Sequence, residues 1–194
     1  TLFAFPNFTL GTMMFVGLAP IFITMERAKT AREAFFKTWV YVFVGNSLIC
    51  AWVANSIHDF ARLPWALSYP TVLLVSVTEQ IAWPIMAALR HWFHRLFKFR
   101  PILLTPLLIF FLDKYIPKIF PNTMGVAFYK MNWLCQAADI VGVVGLTALL
   151  ALTNELAAIL WERKVQKKVL QRHTVVGVAV IVVVFSYAIW RNGD

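Results

Sequence analysis

The residues of this chain that could do chemistry are a few polar side chains placed inside long apolar runs. Glu79, in the stretch SVTEQIAW, lies near the middle of one run, and Ser76 and Gln80 fall on a neighbouring face. A charged side chain inside a bilayer costs about 2.5–3.5 kcal/mol on insertion scales, so Glu79 needs a physical reason. In a first interpretation, Glu79 lines a polar cavity or contacts a lipid headgroup. In a second, it is a protonated or hydrogen-bonded carboxyl that joins two helices. We favour the second interpretation.

Four more polar residues lie within apolar runs: Asn46 and Asn55 in one run, and Asn154 and Glu155 in another. Asparagine at a contact between membrane helices usually forms interhelical hydrogen bonds, each worth about 0.6–2 kcal/mol. Glu155 is close enough to a basic segment to extend toward it or to pair with one of its residues. The sequence therefore favours structural roles for these residues.

The sequence shows no pattern typical of a catalytic or metal site. No nucleophilic Ser or Cys stands beside a His and an acid, and His58 and Asp59 are adjacent without a nucleophile. The histidines lack zinc-like spacing, and glycine-rich phosphate loops are absent. Cys50 and Cys135 lie in or next to apolar runs, so we interpret them as packing residues. We predict no catalytic, cofactor-binding or metal-binding residues in this chain.

The elements that position these polar residues follow from the composition. Apolar residues make up 60% of the 194 residues and charged residues 14%, against about 25% charged in a soluble domain. The net charge of +9 does not indicate nucleic acid, because the basic residues flank the apolar runs. We predict a single all-α domain, residues 1–194, that forms a polytopic integral membrane helical bundle.

The apolar runs predict about six transmembrane helices. Their approximate bounds are 9–25, 34–57, 64–89, 101–117, 136–161 and 174–190. Thirteen of the 18 Lys and Arg residues fall on one side of this bundle, and that side should be cytoplasmic. Both ends of the chain are then expected on the outer face. The start TLFAFPNF has no initiator Met and no charged leader, so we expect a segment upstream.

The stretch LCQAADIVGVVGLTALL places an amide and an acid at a predicted helix start. Gln136 and Asp139 favour the positive end of the helix dipole and can meet water or lipid headgroups. Ala138 and Gly142 form a small-xxx-small pair, and Gly145 extends the same thin face. We predict a helix-packing seam at Ala138, Gly142 and Gly145, with the polar side chains of Gln136 and Asp139 at its N-terminal end.

Several stretches together resemble the apolipoprotein N-acyltransferase family. CQAADIVGVVGLTALLALTNELAAIL is similar to the family's Q-x-A-D-x-x-G-V-x-G helix and its downstream Asn, here Asn154. FAFPNFTLGTMMFVGLAPIF resembles the junction of the first two family spans, and IFPNTMGVAFYK resembles the loop with the G-F-P-x-x-x-L-G pattern. Trp52, in CAWVANSIHDFARLP, is similar to the family's aromatic residue at an outer helix end. The resemblance covers nearly the whole chain in order.

The resemblance implies a membrane domain rather than a catalytic one. The family transfers an acyl chain from phospholipid to the free amine of a lipoprotein's lipidated N-terminal cysteine, through a thioester intermediate in a nitrilase-like domain. No residue here matches the Glu, Lys and Cys of that domain, and one family helix would lie upstream. The segment FFLDKYIPK departs from the family's E-W-x-R-like segment, with Asp113 and Lys114 as an imperfect match.

Two functions from different classes follow. The first is the membrane domain of an apolipoprotein N-acyltransferase-like protein of the bacterial inner membrane, an enzyme only if the full gene product carries the nitrilase-like domain. Its partners would be phospholipid and a lipoprotein substrate. The alternative is a non-catalytic structural subunit of a larger membrane complex, with other membrane proteins as partners. In either case, the candidate lipid or packing residues are Glu79, Asp139, Gln136, Trp52 and Asn154.

Overall fold

The computed structural model describes residues 11–97, 102–120, 122–166 and 172–193, and within these ranges all regular structure is helical. The predicted all-α class is confirmed. The family-like stretch FAFPNF lies outside the described residues. The helices, in chain order, are α1 Met14–Gly17, α2 Ala19–Glu26, α3 Ala31–Ile49, α4 Ala51–Ala61, α5 Trp65–Glu79, α6 Ala82–Phe97, α7 Leu104–Tyr115, α8 Asn132–Cys135, α9 Ala138–Gln166 and α10 Arg172–Asn192. Two short 3-10 turns lie at Gly11–Met13 and Met124–Phe128.

The membrane spans are fewer and more interrupted than the sequence predicts. Among the described residues, three helices are long and apolar enough to cross a bilayer: Trp65–Phe97, Ala138–Glu162 and Thr174–Asn192. The pair α3 and α4, bent by 50°, makes a fourth if it is counted as one span. The first and fourth predicted spans are shorter helices here. For example, α7 has 12 residues, about 18 Å, where a full crossing needs about 20 residues.

The span Trp65–Phe97 is broken between α5 and α6 because of a proline. Pro84 has no N–H to donate to the carbonyl of Gln80, four residues earlier, and its ring crowds that carbonyl. Gln80 leaves the helical region at φ −111° and ψ 26°. The break exposes the carbonyl of Val77, which accepts a hydrogen bond from Trp39 Nε1 on α3 at 3.2 Å. A side chain from a neighbouring helix thus satisfies a backbone group that the break sets free.

The fifth predicted helix is also interrupted. Gly142, inside α9, has φ 68° and ψ 175°, a conformation that is essentially restricted to glycine. An apolar span does occur at Ala138–Glu162, close to the predicted 136–161, but its helix is kinked at this residue. A short N-terminal stub, Ala138–Val141, precedes this kink in α9.

The core joins the interrupted helices to the described C-terminal span. α3 packs most extensively against α6, and α7 packs against α9. Aromatic rings bridge the elements of the core: Phe15 stacks on Phe128 with centroids 5.0 Å apart, and Phe185 meets Phe15 and Trp133 edge-on at 5.8 and 5.2 Å. Valines such as Val182 and Val183 on α10 remain exposed, as expected for a helix whose outer face contacts lipid.

Candidate functional site

An apolar groove of about 430 Å³ runs along the C-terminal half of α3. Residues between Val40 and Ile49 form most of its lining, while Leu18 and Met124 contribute from the α1–α2 junction and the Met124–Phe128 turn. Val44 and Leu48, which also line it, are about half exposed. The groove is therefore open to the outside of the bundle, and its chemistry suits an elongated apolar ligand.

Two polar side chains and one glycine shape this groove. The Tyr41 hydroxyl donates to the carbonyl of Gly17 at 3.0 Å and so fixes α3 to α1. Asn46 is 2% exposed, and its amide nitrogen has no hydrogen-bond partner in the described structure. A Cβ atom built on Gly45 meets nothing within 4 Å. The groove thus has free space at Gly45 and an unused donor next to it.

Glu79 lies at the break between α5 and α6 and is 1% exposed. Its Oε1 accepts a hydrogen bond from the backbone N–H of Phe120 at 3.0 Å. Phe120 belongs to the segment that follows α7, so the carboxyl attaches this segment to the middle of a long span. The second carboxyl oxygen, Oε2, has no hydrogen-bond partner within the described residues.

Asn154 holds the junction between α1 and α2. Its Oδ1 accepts from the backbone N–H of Leu18 at 2.7 Å, and its Nδ2 donates to the carbonyls of Met14 and Leu150 at 2.6 and 2.8 Å. Pro20 occupies the first turn of α2, where its missing N–H is tolerated. The buried amide supplies partners to backbone groups that the interruption at Leu18 leaves open.

A buried ion network joins four helices through Arg90. The guanidinium of Arg90, on α6, bonds to Glu26 on α2 and to Glu155 on α9, the latter at 2.9 Å. Its Nε donates to the hydroxyl of Thr105 on α7 at 3.1 Å. Arg90 is 7% exposed and Glu155 4%. The sequence indicates a basic partner for Glu155 but groups Arg90 with the exposed cytoplasmic charges.

The segment FFLDKYIPK, which departs from the family pattern, has a defined local structure. Asp113, at the end of α7, pairs with Lys118 rather than with its neighbour Lys114. Lys118 also donates to the carbonyl of Asn122 at 3.0 Å. Lys114 is exposed and lies over the ring of Tyr115, 5.6 Å from its centroid. The Asp113–Lys118 pair therefore closes the segment after α7 onto itself.

The three residues of the predicted packing seam have different surroundings. Gly142 provides the break in α9, and a Cβ there would meet nothing within 4 Å, so it is not a close-contact residue. Gly145 is buried against Val141 of its own chain, where a Cβ would lie 2.2 Å from the valine Cβ. Ala138 is half-buried on the stub before the break. The nearest atoms to a Cβ on Gly145 belong to Val141 of the same helix, and the packing seam at Ala138, Gly142 and Gly145 stays a prediction.

The close approach to α9 is made by Gly125, which the sequence analysis does not single out. A Cβ on Gly125 would lie 2.3 Å from the carbonyl oxygen of Val143 and 2.9 Å from the backbone nitrogen of Thr147. The Gly125 N–H donates to the Thr147 hydroxyl at 2.9 Å. The signal was available, because a glycine in the conspicuous loop IFPNTMGVAFYK is typical of close backbone contact.

The remaining candidate residues lie at the surface. Asp139 is exposed and 3.8 Å from Arg191, a weak surface pair. Gln136 is half-buried at the end of α8, and Trp52 is 63% exposed on α4. Asn55 is also exposed. The structure does not bring these residues together with Glu79 or Asn154 through any hydrogen bond or ion pair that it describes.

The described Cys135 and His58 side chains make local structural contacts. No group of three or more His, Cys, Asp or Glu side chains that could hold a metal occurs among them. The Cys135 Sγ is directed at the carbonyl of Phe128 at 3.3 Å. Burial raises the pKa of the Cys135 thiol, which makes it a poor nucleophile. His58 contacts the carbonyl of Leu63 and stacks on Trp65, so it closes a short turn.

Comparison with known proteins identifies the family of this chain. A family model described as the apolipoprotein N-acyltransferase N-terminal domain matches residues 1–156. The apolipoprotein N-acyltransferase of Bdellovibrio bacteriovorus is 29% identical over 148 residues, which are 73% of this chain and 26% of that protein. This chain thus spans about a quarter of the relative's length. No solved structure matches the chain. The family match covers well over half of the residues, and the chain therefore belongs to the apolipoprotein N-acyltransferase N-terminal domain family.

Proposed function

We propose that this chain is the membrane domain of an enzyme of the bacterial inner membrane that transfers an acyl chain from a phospholipid to the N-terminus of a lipoprotein. In this proposal the groove along α3 holds one acyl chain of the phospholipid. The reacting groups belong to other parts of the complete protein. The membrane domain contributes binding and orientation, which set the position of the ester before the chemistry begins.

One observation carries the proposal. The family match covers residues 1–156, and every residue that lines the groove lies within that range. The lining is apolar, and the groove opens to the outside of α3, so a lipid chain can enter sideways. The acyl chain is already in hydrocarbon, so it is held in the groove by packing contacts with the apolar lining. A polar substrate would leave most of its hydrogen-bonding groups without partners in this groove.

The test uses the complete gene product, reconstituted in vesicles with a phospholipid whose acyl chain is isotope-labelled. The acceptor is a synthetic diacylated lipopeptide with a free N-terminal cysteine amine. We expect mass spectrometry to show the labelled acyl chain on that amine. If the intact protein purifies with other membrane proteins at fixed stoichiometry and transfers no label, the alternative role as a structural subunit replaces the proposal.

A groove-filling variant tests the role of α3 separately. Gly45→Leu places a side chain in open space, and leucine favours a helix by up to about 1 kcal/mol over glycine, so the fold is retained. We expect the leucine side chain to exclude part of the acyl chain from the groove and so to lower the transfer rate. The matched control is Val183→Leu, on the exposed face of α10. Equal transfer rates for the two variants would exclude the groove as the acyl site.

A further inference from the structure

Buried polar atoms without partners concentrate at the break between α5 and α6. Glu79 Oε2, Ser76 Oγ and Gln80 Oε1 all lack a hydrogen-bond partner within the described structure, and each residue is 1–2% exposed. Ser76 and Glu79 are three positions apart on α5 and so share one face of the helix, and Gln80 follows directly at its C-terminal end. Buried polar atoms are nearly always paired, and an exception needs an explanation.

The charge at this break is also unbalanced. Glu79 forms no ion pair with any residue that the structure describes, although Arg90 pairs with Glu26 and Glu155 elsewhere on the same long span. The backbone N–H of Phe120 is a neutral donor to Glu79 Oε1 and supplies no compensating charge. An isolated carboxylate in a membrane interior is costly unless a positive charge accompanies it.

Two buried donors on neighbouring helices also lack partners within the described residues. They are Asn46 Nδ2 on α3 and Trp83 Nε1 on α6, and α3 packs against both α5 and α6. Donors of this kind bind the oxygen atoms of water. The set therefore combines oxygen ligands for a cation with groups that hold its water molecules.

We propose that the break between α5 and α6 is a binding site for a hydrated monovalent alkali-metal cation. Glu79 Oε2, Ser76 Oγ and Gln80 Oε1 are its protein ligands, and water molecules held by Asn46 and Trp83 complete its shell. Hard cations take carboxylate, hydroxyl and amide oxygens. A single carboxylate neutralises one positive charge, which selects a monovalent ion. Interrupted membrane helices supply such sites in transporters. This inference does not rest on the proposed acyl transfer.

The test measures thermal unfolding of the intact, detergent-solubilised polypeptide by tryptophan fluorescence. The protein is placed in sodium chloride, potassium chloride or N-methylglucamine chloride at equal ionic strength. We expect Na+ or K+ to raise the Tm above the value in N-methylglucamine, with a dependence on metal-ion concentration that saturates. The same Tm in all three salts overturns the proposal, and so does a Tm that follows pH but not the metal ion, since a proton is then the occupant.

Three variants assign the ligands. Glu79→Gln removes the charge and should abolish the ion-dependent shift, whereas Ser76→Ala removes one oxygen and should raise the concentration of ion needed for half the shift. Asp139→Asn is the matched control, because that carboxylate is exposed and pairs with Arg191. If Glu79→Gln does not fold, Ser76→Ala and the salt comparison on the unmodified protein remain decisive. A full shift in Glu79→Gln contradicts the assignment.

Discussion

Replacement of Arg90 by methionine tests whether the buried ion network supports the bundle. Arg90 is bound to Glu26, Glu155 and Thr105, and the two carboxylate side chains are only 11% and 5% exposed. Methionine fills much of the space but leaves two buried carboxylates without their shared cation. Breaking a buried pair in this way costs about 3–5 kcal/mol. The lost bond to the Thr105 hydroxyl adds about 1 kcal/mol.

The assay is the free energy of unfolding of the solubilised protein, measured by denaturant titration. Lys37→Met is the matched control, because Lys37 pairs with Glu33 one turn away on the surface, with side chains 48% and 32% exposed. A surface pair of this kind contributes about 0.3–0.5 kcal/mol. We therefore expect Arg90→Met to be several times more destabilising than Lys37→Met.

A triple variant separates charge from packing. Arg90→Met combined with Glu26→Gln and Glu155→Gln leaves no unpaired carboxylate, so it should recover a large part of the stability lost in the single variant. If Arg90→Met costs no more than Lys37→Met, the network is not a stabilising element. If the triple variant is as unstable as Arg90→Met, the loss arises from packing of the arginine side chain, and the electrostatic reasoning fails.

Three further variants address the interrupted helices in the same unfolding assay. Gly142→Ala should cost about 1–3 kcal/mol because its backbone conformation is almost restricted to glycine; an unchanged stability would mean that the break is not retained in solution. Gly125→Ala should cost more than Gly142→Ala, since its Cβ meets backbone atoms of α9, the nearest 2.3 Å away; the reverse order would contradict the contact. Asn154→Leu should cost about 1–3 kcal/mol and speed amide exchange at Leu18, whose N–H loses its acceptor; unchanged exchange at Leu18 would refute the cap. The control for both glycine variants is Gly45→Ala, where a Cβ meets nothing within 4 Å.

The sequence predicts the helical class and the apolar spans because both depend on local composition and length. It does not predict where the helices break, since that depends on which backbone groups find partners elsewhere. Pro84 is a local signal for the break at Gln80, but the acceptor of the Trp39 indole is a carbonyl 38 residues away. The glycines of GVVG fit either a packing seam or a break, and only the backbone angles of Gly142 distinguish the two.

In the candidate site too, the sequence indicates the unusual residue but not its distant partner. Glu79 stands out in the sequence because an acid interrupts an apolar run, but its partner Phe120 is 41 residues away and contributes only a backbone N–H. Charge counting places Arg90 on the cytoplasmic side, because its neighbours His91 and Arg95 continue a basic segment. Its burial follows from helix packing that brings Glu26 and Glu155 to the same point. Charge counting locates a residue along the membrane normal, not toward or away from the core.

The polar residues inside this bundle mostly serve backbone groups that the helix interruptions release. Asn154 accepts from the Leu18 N–H and donates to the Met14 carbonyl, and the Trp39 indole donates to the Val77 carbonyl near the break before Pro84. Where lipid excludes water, the backbone groups that a helix interruption releases need partners from other elements. Glu79 departs from this pattern, because only one of its two oxygens binds a backbone group. The other oxygen, Oε2, is unpaired among the described residues, as are the nearby side-chain oxygens of Ser76 and Gln80. A helix cap would leave no such unpaired polar atoms, and a ligand site would use them.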